Sequence, residues 1–165
     1  MNSGSTVFSV QRPSALLAIL SGGFICGVLD ITAALVVYGF FGLKPIPLLQ
    51  GIAAGLLGAR AGEGGLATAL LGLLLHFLIA FSAATVYVAV SRWVGFLVRH
   101  AVLSGVLYAV AVYFFMNNIV KPLSAARKYP FSFQMMVIGI VIHIFCVGLP
   151  IALLTRRYLR PPVSL

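Results

Sequence analysis

Acidic side chains are nearly missing from this chain: Asp30 and Glu63 are the only carboxylates in 165 residues. They belong to different segments, so one subunit lacks the paired carboxylates that general acid–base catalysis uses. Cysteine is equally scarce. Cys26 and Cys146 form neither a disulfide framework nor a C-x-x-C pair, and no H-x-x-x-H spacing accompanies them. A Ser–His–acid triad lacks its nucleophile, because Ser82 lies about two helical turns deeper than His76. Gly62-x-Gly64-Gly65 has no preceding strand and no Lys-Ser/Thr, so it is not a phosphate loop. No internal repeat is visible, and the alternating ten-residue segments of a membrane barrel are absent. No catalytic residue is assigned, and the chain reads as a non-enzyme.

What the sequence does contain is apolar length. Hydrophobic residues make up 62% and charged residues 8%, whereas soluble domains carry about a quarter charged residues to face water. Residues 13–43 are interrupted only by Asp30, and 64–91, 101–120 and 129–155 hold no Asp, Glu, Lys or Arg. Each run reaches the ~20 residues that a helix needs to cross a bilayer. Backbone groups in lipid must pair within their own segment, which makes the runs helices. The first run is too long for a signal-peptide core and lacks a small-x-small cleavage site. Phe24 and Ile25 before Cys26 are too bulky for a lipoprotein site. Helix 1 is expected to be retained.

The expected fold is all-α: a single integral membrane domain, 1–165, with spanning helices at about 14–41, 66–90, 101–120 and 131–155. Pro13 suits the first turn of the first helix. The apolar stretch 48–59 is too short to span; it reads as re-entrant or interfacial, with a fifth span as the alternative. The segment from Lys121 to Pro130 is expected to be a loop, and Pro150 to kink the last helix. Gly23-x-x-x-Gly27, Gly51-x-x-x-Gly55 and Ala54-x-x-x-Gly58 are small-residue faces that let helices approach closely, within the chain, in self-association or with other membrane subunits.

The net charge of +9 does not indicate nucleic-acid binding. The eleven basic residues sit at the ends of the apolar runs, where headgroups are, and no basic cluster with interleaved aromatics lies outside them. The partner implied is the lipid bilayer. Four spans put Arg12, Arg92, Arg99, Arg156, Arg157 and Arg160 on one side and Lys44, Arg60, Lys121, Arg127 and Lys128 on the other. The basic tail tips both termini toward the cytoplasm. Phe40, Phe41, Trp93, Tyr113, Tyr129 and Phe131 read as interfacial anchors, and His100 as interfacial.

Three ionisable residues fall inside the spans: Asp30, His76 and His143. Counted from the chain ends on one side, all three lie about ten to twelve residues deep, near mid-bilayer and within about one turn of a common plane. Asp30 shares a face with Gly23, Gly27, Ala34 and Tyr38. His76 shares one with Thr68, Gly72, Ala80, Ala83 and Tyr87, and His143 with Met136, Gly139, Cys146 and Pro150. Small residues mark these faces as inward, and helix 3 offers Ser104, Tyr108, Ala111, Phe115 and Asn118 as its inner stripe.

Four readings of that plane stay open. Asp30 and a histidine can be a buried pair that only orders the bundle. The three groups can form a proton or cation site. His76 and His143 can be axial ligands of a b-type haem, making the chain a redox subunit. A metal site would add Cys26 and Cys146 to the histidines, against the plainer reading of both thiols as packing groups. Elsewhere, Asn117 and Asn118, with Lys121, Arg127 and Lys128, are candidates for contact with a headgroup or anion, or the asparagines cap a helix end.

The elements Gly27-Val-Leu-Asp30, Leu75-His76-Phe77, Met116-Asn117-Asn118, Pro122-Leu123-Ser124 and His143 to Gly148-Leu-Pro150 resemble those of small bacterial inner-membrane proteins to which no activity is attached. The resemblance runs over most of the chain. It implies a multi-pass protein of the bacterial cytoplasmic membrane and no particular mechanism.

Overall fold

In a computed structural model the described residues, 14–127 and 130–159, are almost entirely helical, and no strand occurs among them. Arg12, Pro13, Lys128, Tyr129 and Arg160 lie outside the described residues. Four helices are long and apolar enough to cross a membrane: α1 (Ala15–Phe40), α3 (Gly65–Ser91), α5 (Ala101–Leu123) and α6 (Phe133–Leu159). Among the described residues two short α-helices, α2 (Pro45–Leu57) and α4 (Gly95–Arg99), and a 3₁₀ helix at Gly58–Gly62 accompany them. The hydroxyls of Ser14 and Ser132 cap α1 and α6 by accepting from the N–H groups of Leu17 and Met135.

Neighbouring spans run antiparallel. Ser14 N–H donates to the Tyr158 carbonyl at 3.3 Å, and Gly22 lies on Ile151, which sets the register of α1 against α6. Gly23 and Gly27 receive the rings of Phe81 and Phe77 from α3. The tightest crossing joins Gly105 of α5 to Gly148 of α6, where a side chain on either residue would collide with the other's carbonyl. The core is built of small groups, as a bundle without a hydrophobic drive between helices requires. Cys26, Ala80, Ala84, Tyr87, Ala101, Val147, Ile151 and Ala152 form it.

Several boundaries differ from the sequence expectation. The third span continues through Lys121 and Pro122 to Leu123, because Pro122 terminates nothing. Two π-helical segments explain how prolines are accommodated in the spans: Met116–Val120 precedes Pro122, and His143–Gly148 precedes Pro150. A proline ring clashes with the carbonyl four residues back and supplies no N–H. Widening the preceding turn relieves both problems, and i→i−5 bonds replace the lost ones, as from Leu149 N–H to the Ile144 carbonyl. Pro150 is thus accommodated by the wide turn immediately upstream of it.

Helix α2 packs along the loop-side half of α3. The Gly51 face expected to attract a helix is open, and the buried face is Leu48, Gln50 and Ala53. Gly72 of α3 lies directly against the Leu49 carbonyl. The helix ends on Gly58, whose positive φ of 60° with ψ of −141° is a conformation that glycine adopts without a Cβ clash. From α2 the Gly55 carbonyl accepts from Ala125 N–H at 2.9 Å, tying the 124–127 loop to it.

Candidate functional site

The three intramembrane ionisable residues meet different fates. His76 Nε2 lies 2.8 Å from the Gly27 carbonyl of α1. A carbonyl only accepts, so Nε2 carries the proton and Nδ1 is the basic nitrogen. His143 Nδ1 lies 2.8 Å from the Gly139 carbonyl one turn back in α6, which makes Nε2 its basic nitrogen. The His143 ring stands edge-on to Tyr113 of α5, with centroids 5.4 Å apart and planes at 88°. The two imidazoles are thus engaged through different nitrogens, on different carbonyls.

Asp30 makes no hydrogen bond or ion pair among the described residues. The buried Asp–His pair that would only lock the bundle is therefore not formed. Asp30 is half-buried, one turn beyond buried Cys26. Its carboxyl lies within electrostatic reach of both Cys26 and Cys146, and the thiols are within reach of each other. The register set by Ser14–Tyr158 and Gly22–Ile151 carries Asp30 to the level of His143. His76, opposite Gly27, lies one turn away. Among the described residues no group of three His, Cys, Asp or Glu side chains is arranged to hold a metal ion.

Tyrosines line the packed half next to this level. Tyr108 donates to the Ala83 carbonyl at 2.7 Å, and Tyr87 to the Leu97 carbonyl at 3.2 Å, with their rings 5.0 Å apart. Ser104 beside them is buried and lacks a hydrogen bond of good geometry. The inner stripe of α5 departs from expectation after Tyr108: Ala111, Phe115 and Asn118 are exposed, and Gly105, Ala109, Val112 and Tyr113 face inward. Gly105 and Ala109 admit the α6 backbone, and that close approach chooses the face.

Asn117 and Asn118 do not cap a helix end. They lie inside the π segment, where Asn117 Nδ2 donates to the Tyr113 carbonyl at 2.8 Å and its Oδ1 accepts from Lys121 Nζ at 2.8 Å. Lys121 and Arg127 are exposed at the same end of the bundle. His100, between α4 and α5, is exposed and packs on Phe96.

One polar residue is unanticipated. Gln50, buried on α2, donates to the Gly65 carbonyl at 3.0 Å and to Thr68 Oγ1 at 3.3 Å; Thr68 in turn donates to the Ala61 carbonyl at 2.6 Å. Its signal was a single amide in an otherwise apolar segment, which an apolar environment tolerates only when paired.

Comparison with known proteins gives no match to a family model, to a curated protein or to a solved structure.

Proposed function

We propose that the protein is a transport-type membrane protein of the bacterial cytoplasmic membrane, with both termini cytoplasmic, that takes up a proton or small cation at Asp30. The observation that carries the reading is Asp30 itself, a half-buried carboxyl inside a spanning helix with no ion pair among the described residues. A charged side chain at that depth costs about 3 kcal/mol or more unless it is compensated. A structural residue at this position is served by asparagine as well as by aspartate; a working group needs the carboxyl. His143 at the same level, with its Nε2 uncommitted by the Gly139 bond, supplies a second exchangeable proton.

The test is flux. Protein reconstituted into liposomes carrying an internal pH dye is expected to dissipate an imposed pH gradient or membrane potential, and Asp30→Asn to abolish that flux while eluting as a folded species. Wild-type protein that moves neither protons nor monovalent cations above empty liposomes ends the reading.

A further inference from the structure

The packed core occupies only one half of the bundle. The last buried residue of α1 is Ile31 and the last of α5 is Ala109, while the first of α6 is Val147. Beyond that level, toward the loops that hold Lys44, Arg60 and Lys121, the described residues of α1, α5 and α6 are only half-buried or exposed, with the Tyr113 ring lying over Gly139. The corresponding half of α3 is covered by α2 instead, through Ala69 and Gly72. The opposite half is closed: α4 lies across it, with Leu97 packed on the core and its carbonyl held by Tyr87.

Asp30 and His143 therefore lie where the fully buried half gives way to the half-buried one. From that floor a line of polar groups continues to the loop-side surface. His143 abuts Tyr113, and Asn117 links the Tyr113 carbonyl to exposed Lys121. Two π segments, the places where these spans deviate from regular helix, supply His143, Cys146 and Asn117 to it. Such wide turns recur at functional sites.

Building on the reading of Asp30 as the working group, we infer that Asp30 is reached by water from the loop side only, through the cleft between α1, α5 and α6, and that the species it takes up is the proton. Dehydration selects among cations. The loop side presents exposed Lys44, Arg60 and Lys121 against the single acid Glu63, a field that disfavours every cation alike, and among the described residues no group of three His, Cys, Asp or Glu side chains is arranged to replace a metal ion's hydration shell. A proton needs no such cage and passes between hydrogen-bonding groups. The step balances without a redox partner: the His143 imidazolium gives up its Nε2 proton through water, and the Asp30 carboxylate becomes the carboxylic acid.

Native Cys146, one turn from His143, reports on the cleft, and Cys26, 2% exposed, is the internal control. Vesicles of known orientation are treated with a small membrane-impermeant methanethiosulfonate. Ser124→Cys marks the loop face and Arg92→Cys the other. Cys146 is expected to react at least tenfold faster from the loop face, and Cys26 from neither. Because Cys146 sits deep, Tyr113→Cys and Phe114→Cys, each in a Cys26→Ala, Cys146→Ala background, provide a second contrast. The cleft position is expected to react and the lipid-facing neighbour to stay silent. Equal reaction from both faces, faster reaction from the Arg92 side, or silence at both 146 and 113 overturns the inference; silence there is what a lipid chain or a second copy filling the cleft would produce. Flux of sodium in place of protons also overturns it. Loop-side labelling with flux that survives Asp30→Asn leaves the access path standing and removes Asp30 as the transported proton's site.

Discussion

His76 Nε2 donates to the Gly27 carbonyl across 2.8 Å, joining α3 to α1 one turn from Asp30. This is the one side-chain hydrogen bond among the described residues that ties these two spans. It also holds Gly27 against Phe77, where a Cβ would strike the ring. His76 is thereby a fastener, while Asp30 one turn away makes no hydrogen bond or ion pair among the described residues.

Replacing His76 with leucine is expected to cost about 0.5–1.5 kcal/mol, the range of interhelical hydrogen bonds in bilayers. Reversible unfolding in bicelles measures it. A loss several times larger would mean that His76 does more than bond Gly27.

The Gly105–Gly148 crossing admits no side chain, so Gly148→Leu is expected to prevent assembly of α5 on α6. Fluorescence-detected size exclusion would show aggregated or absent protein. Gly51→Ala is the contrast: its Cβ meets open space, and removing glycine from a helix interior is expected to stabilise by about 0.5–1 kcal/mol.

Gln50→Leu keeps the volume of the α2 contact but removes the amide's bonds to the Gly65 carbonyl and the Thr68 hydroxyl. A cost of about 1–2 kcal/mol is expected, confined to α2. Limited proteolysis would therefore accelerate at the connections on either side of α2 (residues 41–44 and 58–64) while the four-span core persists.

Pro150→Ala removes the clash that the His143–Gly148 wide turn relieves. The turn is expected to tighten, rotating the loop-side part of α6 by about one residue's turn, ~100°. Thiol labelling of Cys146 is the readout. Its rate is expected to change several-fold while the protein elutes unchanged; an unaltered rate would assign the π segment to packing at Gly148 instead.

Hydropathy made the four spans legible because each run carries its own answer. A residue in lipid is apolar or it is expensive, and no neighbour need be known to see it. The depths of Asp30, His76 and His143 were legible for the same reason, since rise per residue is a property of one helix. The faces were legible only in part. On α1 and α3 the small residues beside the polar ones chose the inner stripe, and Gly23, Gly27, Gly72 and Ala80 are indeed buried. On α5 the polar residues pointed along Phe115 and Asn118, whereas Gly105 and Ala109 decided the contact. Packing energy in a bilayer comes from close approach, so the smallest residues outvote the polar ones.

By itself, then, the sequence determined a helical membrane protein of four spans, its scarcity of acids and the level of its three ionisable groups. The tertiary structure decided the partners. It gave His76 to a carbonyl and His143 to its own helix, left Asp30 without a hydrogen bond or ion pair among the described residues, docked α2 through Gln50, and set a π segment before each of two prolines. It also placed the fully buried residues of α1, α5 and α6 in one half of the bundle. Those outcomes depend on which backbones come within hydrogen-bonding or van der Waals distance, a relation between helices that no single apolar run contains.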